Sequence, residues 1–175
     1  MKHNIILKKL SYLFFSIVMM ASFTACEGVE SEPDASDIVI EEVTGSWYII
    51  GLETDGETPA FAGDYVLYDI YNSSENNFDF WIDDHNTFFQ LKSKGTVDLS
   101  SLTFSSEANT AELYTGETVT ISNGQITKDS FTTASNTVVD AIYFEAEFSW
   151  DPGTVYIFKG HKRTGFVGDD NPHYE

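Results

Sequence analysis

From Ile142 to Phe148 the side chains alternate. Ile142, Phe144, Ala146 and Phe148 share one face, and Tyr143, Glu145 and Glu147 share the other. A period of two marks a strand with one buried face. The alternation resumes at Val155-Tyr156-Ile157-Phe158 after Asp151-Pro152-Gly153, a tripeptide that presets φ at proline and tolerates a positive φ at glycine. The pair is therefore predicted to be a β-hairpin. With the turn centred on Pro152, Phe148 lies opposite Tyr156, Ala146 opposite Phe158 and Phe144 opposite Gly160, which makes a core face. The outer face then sets Glu145 opposite Lys159, Tyr143 opposite His161 and Ala141 opposite Arg163. A slip of one residue would exchange the faces.

The same rhythm predicts further strands at Val43–Leu52, Asp64–Tyr71, Phe78–Ile82 and Phe88–Lys94, with shorter ones at Thr96–Leu99 and Leu102–Ser105. Gly56, Pro59 and Gly63 mark a loop, and residues 107–117 and 128–137 read as polar connections. Asn123-Gly124, between Glu117–Ile121 and the run starting at Gln125, predicts a second hairpin with a type I′ turn. No amphipathic helix and no internal repeat emerges. Many short strands predict an all-β fold, and an antiparallel up-and-down barrel is favoured because closure removes exposed sheet edges.

The first residues follow another rule. Lys2, Lys8 and Lys9 precede an apolar run from Leu10 to Phe23, too short for a membrane helix, which needs about 20 residues, and Phe23-Thr24-Ala25-Cys26 follows. Cys26 is the single cysteine, so no intrachain disulfide partner exists for it. The site resembles a bacterial lipobox, with Phe23 where leucine is commoner. That resemblance implies a signal peptide over residues 1–25, acylation of Cys26 and a membrane attachment through covalent lipid. Residues 26–42 are acidic and form a tether, a composition that resembles the export signal of surface lipoproteins in the Bacteroidetes; the expected location is the outer membrane, with display at the cell surface. The barrel domain is assigned to residues 43–168 and a polar tail to 169–175. A net charge of −19 repels phosphate backbones and anionic headgroups, so nucleic acid is not an expected partner.

Gly45-Ser46-Trp47, Tyr71-Asn72-Ser73, Trp81-Ile82-Asp83-Asp84, Thr120 to Gly124, Asp140 to Glu145, and Gly160-His161-Lys162-Arg163-Thr164-Gly165-Phe166 together resemble the Bacteroidetes lipoprotein family of lipid-binding putative hydrolases. The resemblance runs from about Val43 to Phe166. It implies a lipocalin-like barrel able to hold a small hydrophobic or amphipathic ligand. It also implies a barrel closed by Gly45, Trp47 and Arg163, the guanidinium lying over the indole in a contact worth about 0.5–2 kcal/mol. Tyr48, Leu67, Phe80, Phe89, Phe144 and Phe158 are the candidate ligand contacts. The pattern is equally compatible with a filled barrel.

Catalysis has thinner support. No Gly-x-Ser-x-Gly elbow is present, no cofactor motif is present, and the acidic pairs lack metal-ligand spacing; Asp169-Asp170-Asn171 reads as tail and His85 as a turn residue. His161 and the pair Glu145 and Glu147, about 7 Å apart on one strand face, are the residues a hydrolase alternative would use. A third alternative is a solid barrel serving as an interaction module in a surface-protein complex, recognisable by an exposed apolar patch.

Overall fold

A computed structural model describes residues 37–174; the signal peptide, Cys26 and the first part of the tether lie outside the described residues. The strands are β1 (Gly45–Leu52), β2 (Val66–Asn72), β3 (Asp79–Asp83), β4 (Lys92–Asp98), β5 (Thr103–Ser105), β6 (Thr110–Ala111), β7 (Thr118–Thr132), β8 (Val138–Phe148) and β9 (Val155–Lys162). Each pairs antiparallel with its neighbour in the order β1-β2-β3-β4-β5-β7-β8-β9, and β9 returns to β1. Eight strands thus close an up-and-down barrel. The two-residue β6 adds to the start of β7 beside β5.

One end is stopped by a 3-10 turn at Glu41–Val43, which sends Ile40 and Val43 into the core ahead of β1. The connections β1–β2, β3–β4 and β8–β9, and the segment before β7, gather at the other end, the mouth.

The interior is full. Trp47, Ile49, Tyr68, Ile70, Phe80, Ile82, Phe144, Phe148 and Phe158 are all buried in one cluster. Phe144 stacks on Phe158 with centroids 4.5 Å apart, and Phe104 meets Phe80 edge-on at 5.5 Å. Cross-strand pairing makes room for these rings: Phe80 lies opposite Gly95, Phe104 opposite Gly124 and Phe158 opposite Gly51. A Cβ at Gly95 would sit 2.9 Å from Phe80 Cε1, so the ring occupies the space that a side chain would take. Large-against-small pairing fills a small barrel to ordinary interior density.

Two predicted turns differ. The β8–β9 register sets Phe144 opposite Phe158, Ala146 opposite Tyr156 and Ile142 opposite Gly160, two residues from the predicted pairing, because the turn is centred on Asp151 rather than Pro152, with the Asp151 amide donating to Phe148 O and the Thr154 amide to Asp151 O. A shift of two preserves the faces, so the core face is as predicted while the outer pairs become Tyr143 with Lys159 and Ala141 with His161. Asn123-Gly124 is not a hairpin turn. Asn123, at φ 53°, forms a bulge inside β7, which continues to Thr132 with a second irregularity between Thr127 and Phe131. Such bulges let one 15-residue strand curl far enough to pair in turn with β6, β5 and β8.

Candidate functional site

The mouth is built on buried carboxylates. Asp84, fully buried, accepts hydrogen bonds from the amides of Thr87 (3.3 Å) and Phe89 (3.1 Å), while its own amide donates to Leu91 O. Burial pushes its pKa up, partly offset by those amides. Asp83 accepts from Lys92 Nζ (2.7 Å), Tyr114 Oη (2.6 Å) and Tyr71 Oη (3.1 Å); burial opposes its ionisation, but these donors hold its pKa at about 2. Glu112 accepts from the amides of Lys92, Tyr114 and Thr115. Asp84 thus shapes the loop that presents Phe88 and Phe89, and Glu112 and Asp83 fix the neighbouring segment at Tyr114 and Thr115.

Phe89 drops from its loop into the barrel top. Its ring lies 4.7 Å from Phe158, 5.2 Å from Tyr156 and 5.5 Å from Phe148, over the space left by Gly51. Above it sits Phe61, 56% exposed, with centroids 5.7 Å from Phe89 and 6.1 Å from Trp150. Phe61 and Ala62 both have φ 55°, a left-handed conformation uncommon for so bulky a side chain as phenylalanine. Phe88 and Trp150 are each 41% exposed. With Gln90, Thr115 and Glu117 these rings line a cleft of about 410 Å³ whose floor is Phe89.

The six predicted ligand contacts divide. Phe80, Phe144 and Phe158 are sealed in the filled interior, and Phe89 alone reaches a cleft. Tyr48 and Leu67, paired with each other, have the opposite parity to the inward Trp47 and Tyr68 and lie on the outer wall. Phe61, Phe88 and Trp150 carried a signal that the strand pattern hid: large aromatic residues placed in or beside loops.

The barrel-closing cation is Lys162, not Arg163. Lys162 pairs directly with Trp47 and its Nζ lies 5.6 Å from the indole centroid, whereas Arg163 is one residue on, where its amide donates to Ser46 O. Gly45 leaves space for that lysine, since a Cβ there would stand 3.3 Å from Lys162 Cε. Arg163 instead grips Asp170 with Nε and Nη2, each at 2.8 Å.

That grip helps to dock the tail. Asp169 accepts from Ser135 Oγ (2.7 Å), Thr164 Oγ1 (2.8 Å), the Ser135 amide (2.8 Å) and Thr133 Oγ1 (3.0 Å), and His173 meets Asp64 at 2.6 Å. The polar tail is thus fastened to the barrel wall. The Ser135 hydroxyl leads the donors that hold Asp169 at about 2, so its stabilising contribution is complete above about pH 4 and is lost as pH falls towards 2. Amide protection at Ser135 and Asp169, measured as exchange relative to the intrinsic rate at each pH, is expected to be high at neutral pH and to fall near pH 2 to 3; Asp169→Ala should bring low protection at Ser135 to neutral pH.

The hydrolase candidates do not assemble. Glu145 accepts from Tyr143 Oη and Asn123 Nδ2, and Glu147 from the Gly153 amide, each in a separate local contact. His161 is buried on the outer wall, its pKa pushed down by burial and its ring stacked 4.2 Å from Phe131. Among the described residues no hydroxyl is hydrogen-bonded to it, so no nucleophile and base pair is formed. His85 pairs with Asp69.

No curated protein matches the chain. The family model described as "Lipid-binding putative hydrolase" matches residues 32–167, well over half of its length and the whole barrel. With an eight-stranded lipocalin-like barrel across the same span, the chain belongs to the lipid-binding putative hydrolase family.

Proposed function

We propose that this protein is a lipoprotein, anchored in the outer membrane through acylated Cys26, that binds a small hydrophobic or amphipathic molecule at its aromatic mouth and carries out no chemistry on it. The observation that supports the mouth is the exposed cluster of Phe61, Phe88 and Trp150 over a barrel whose interior is already occupied. An acyl chain lying across those rings gains about 0.8 kcal/mol per buried methylene before the costs of ordering. Gln90 at the edge supplies an amide for a polar head, and Glu117 disfavours an anionic one. The lipid-binding part of the family description supports the binding role. The chain enters the barrel through Glu41–Val43, at the end opposite the mouth.

The test is native mass spectrometry and fluorescence titration of the chain lacking residues 1–25, using a lysophospholipid and a medium-chain fatty alcohol. Adducts at one equivalent, with a change in Trp150 emission, are expected. Phe61→Asn places at φ 55° a residue that tolerates it, so the melting temperature should hold or rise while affinity falls about tenfold. Unchanged affinity would remove the mouth from the binding site; absence of any adduct would leave the exposed rings as a protein-docking patch.

A further inference from the structure

A second cleft, of about 390 Å³, lies on the outer wall between the far end of β7 and the docked tail, lined by Tyr65, Phe131, Thr133, His161, Asp169 and Pro172 among others. Its charged groups are already answered. Asp169 is enclosed by Thr133, Ser135 and Thr164; Asp170 is held by Arg163 and Tyr48 Oη; His173 is held by Asp64. What remains is aromatic surface and one imidazole. The His161 ring, 3% exposed, lies parallel to Phe131 at 4.2 Å, with Tyr65 at 5.9 Å and Tyr48 at 6.0 Å.

Only one nitrogen of that ring is engaged. Nδ1 lies 3.2 Å from the Lys162 carbonyl, and because a carbonyl can only accept, Nδ1 carries the proton in this contact. In the neutral ring Nε2 is then an acceptor, without a hydrogen-bond partner among the described residues and open to the cleft that His161 lines. Burial favours the neutral form. An acceptor that opens into a cleft lined by ring faces suits a ligand that brings both a flat apolar body and a hydroxyl.

We propose that this cleft is a binding site, separate from the mouth, for a small neutral aromatic alcohol whose hydroxyl donates to His161 Nε2 while its ring lies against Phe131 and Tyr65. A cation would find no unpaired carboxylate at His161, and a carboxylate ligand would meet Asp169 and Asp170 together with an imidazole nitrogen that can only accept.

The test compares 2-naphthol with naphthalene and 2-naphthoate by calorimetry and by the ¹⁵N resonances of the histidine ring at neutral pH. The intact protein is expected to prefer 2-naphthol over either by about tenfold, with the His161 Nε2 resonance moving for 2-naphthol alone. His161→Phe keeps a ring in place without the acceptor and should erase the preference; Phe61→Asn, at the mouth, should leave it intact. Equal binding of the three probes, an unmoved Nε2 resonance, or a preference that survives His161→Phe or disappears in Phe61→Asn would overturn the proposal. The resonance in the unsubstituted protein decides the matter even if the His161 variant fails to fold.

Discussion

Gly160→Ala is expected to lower the melting temperature by roughly 10 °C or more, or to prevent folding altogether. Gly160 lies where β9 is flanked by β1 and β8, opposite Ile49 on one side and Ile142 on the other. A Cβ there would fall inside the van der Waals envelope of the Tyr48 carbonyl oxygen and 2.9 Å from Ile49 Cα. Both are main-chain atoms of β1, so no change of rotamer relieves the contact. Either β9 moves away from β1, breaking the seam that closes the barrel, or the backbone distorts along both strands. Overpacking of this kind costs about 1–3 kcal/mol where side chains can give and more where they cannot. Gly168→Ala is the control: nothing lies within 4 Å of its Cβ, and the change should stay within about 0.5 kcal/mol of neutral. Thermal unfolding followed by far-ultraviolet circular dichroism separates the two, and a Gly160→Ala protein as stable as Gly168→Ala would show that the β1–β9 seam has slack.

The barrel was legible in the sequence because strand alternation has a period of two and survives errors of register. Moving the β8–β9 pairing by two residues left Ile142, Phe144, Ala146 and Phe148 facing inward. The closing cation was not legible to the residue, because Lys162 and Arg163 are adjacent and opposite in parity, and only the β1–β9 register decides which of them crosses Trp47. Nor was the filled interior. Whether aromatic rings enclose a cavity or close on one another depends on which glycine each ring meets across the ladder, as Phe80 meets Gly95 and Phe104 meets Gly124. The Asn123-Gly124 pair shows the converse: the type I′ turn expected of it needs a positive φ at both residues, whereas Asn123 alone adopts one, in a bulge that the strand passes through. The mouth escaped notice for a related reason. Phe88 and Phe89 read as strand, whereas Asp84, by capturing the amides of Thr87 and Phe89, ties that stretch into a loop and delivers Phe89 to the barrel top.

Phe89 is therefore the residue at which fold and proposed function meet, and Phe89→Ala is expected to move them in opposite directions. The ring is 4% exposed and closes on Phe148, Tyr156 and Phe158, so its removal should cost about 3–5 kcal/mol of stability. The loop need not change path, because the Asp84 bonds that hold it go to the amides of Thr87 and Phe89, which alanine retains. The vacated volume lies directly beneath the mouth cleft, of which Phe89 is the floor, and runs down to Gly51 and Phe158. A dry apolar cavity opening onto an aromatic cleft takes up hydrocarbon. A series of fatty alcohols of increasing length should then bind the variant more tightly than the unsubstituted protein, with the gain growing as the chain becomes long enough to pass Phe61 and enter the barrel. If the variant loses stability yet gains nothing for any chain length, the neighbouring rings have collapsed into the space and the mouth cleft acts as a surface site independent of the barrel interior. If affinity rises with chain length, Phe89 is a plug, and the depth to which this barrel admits a lipid is set by a single side chain on the β3–β4 loop.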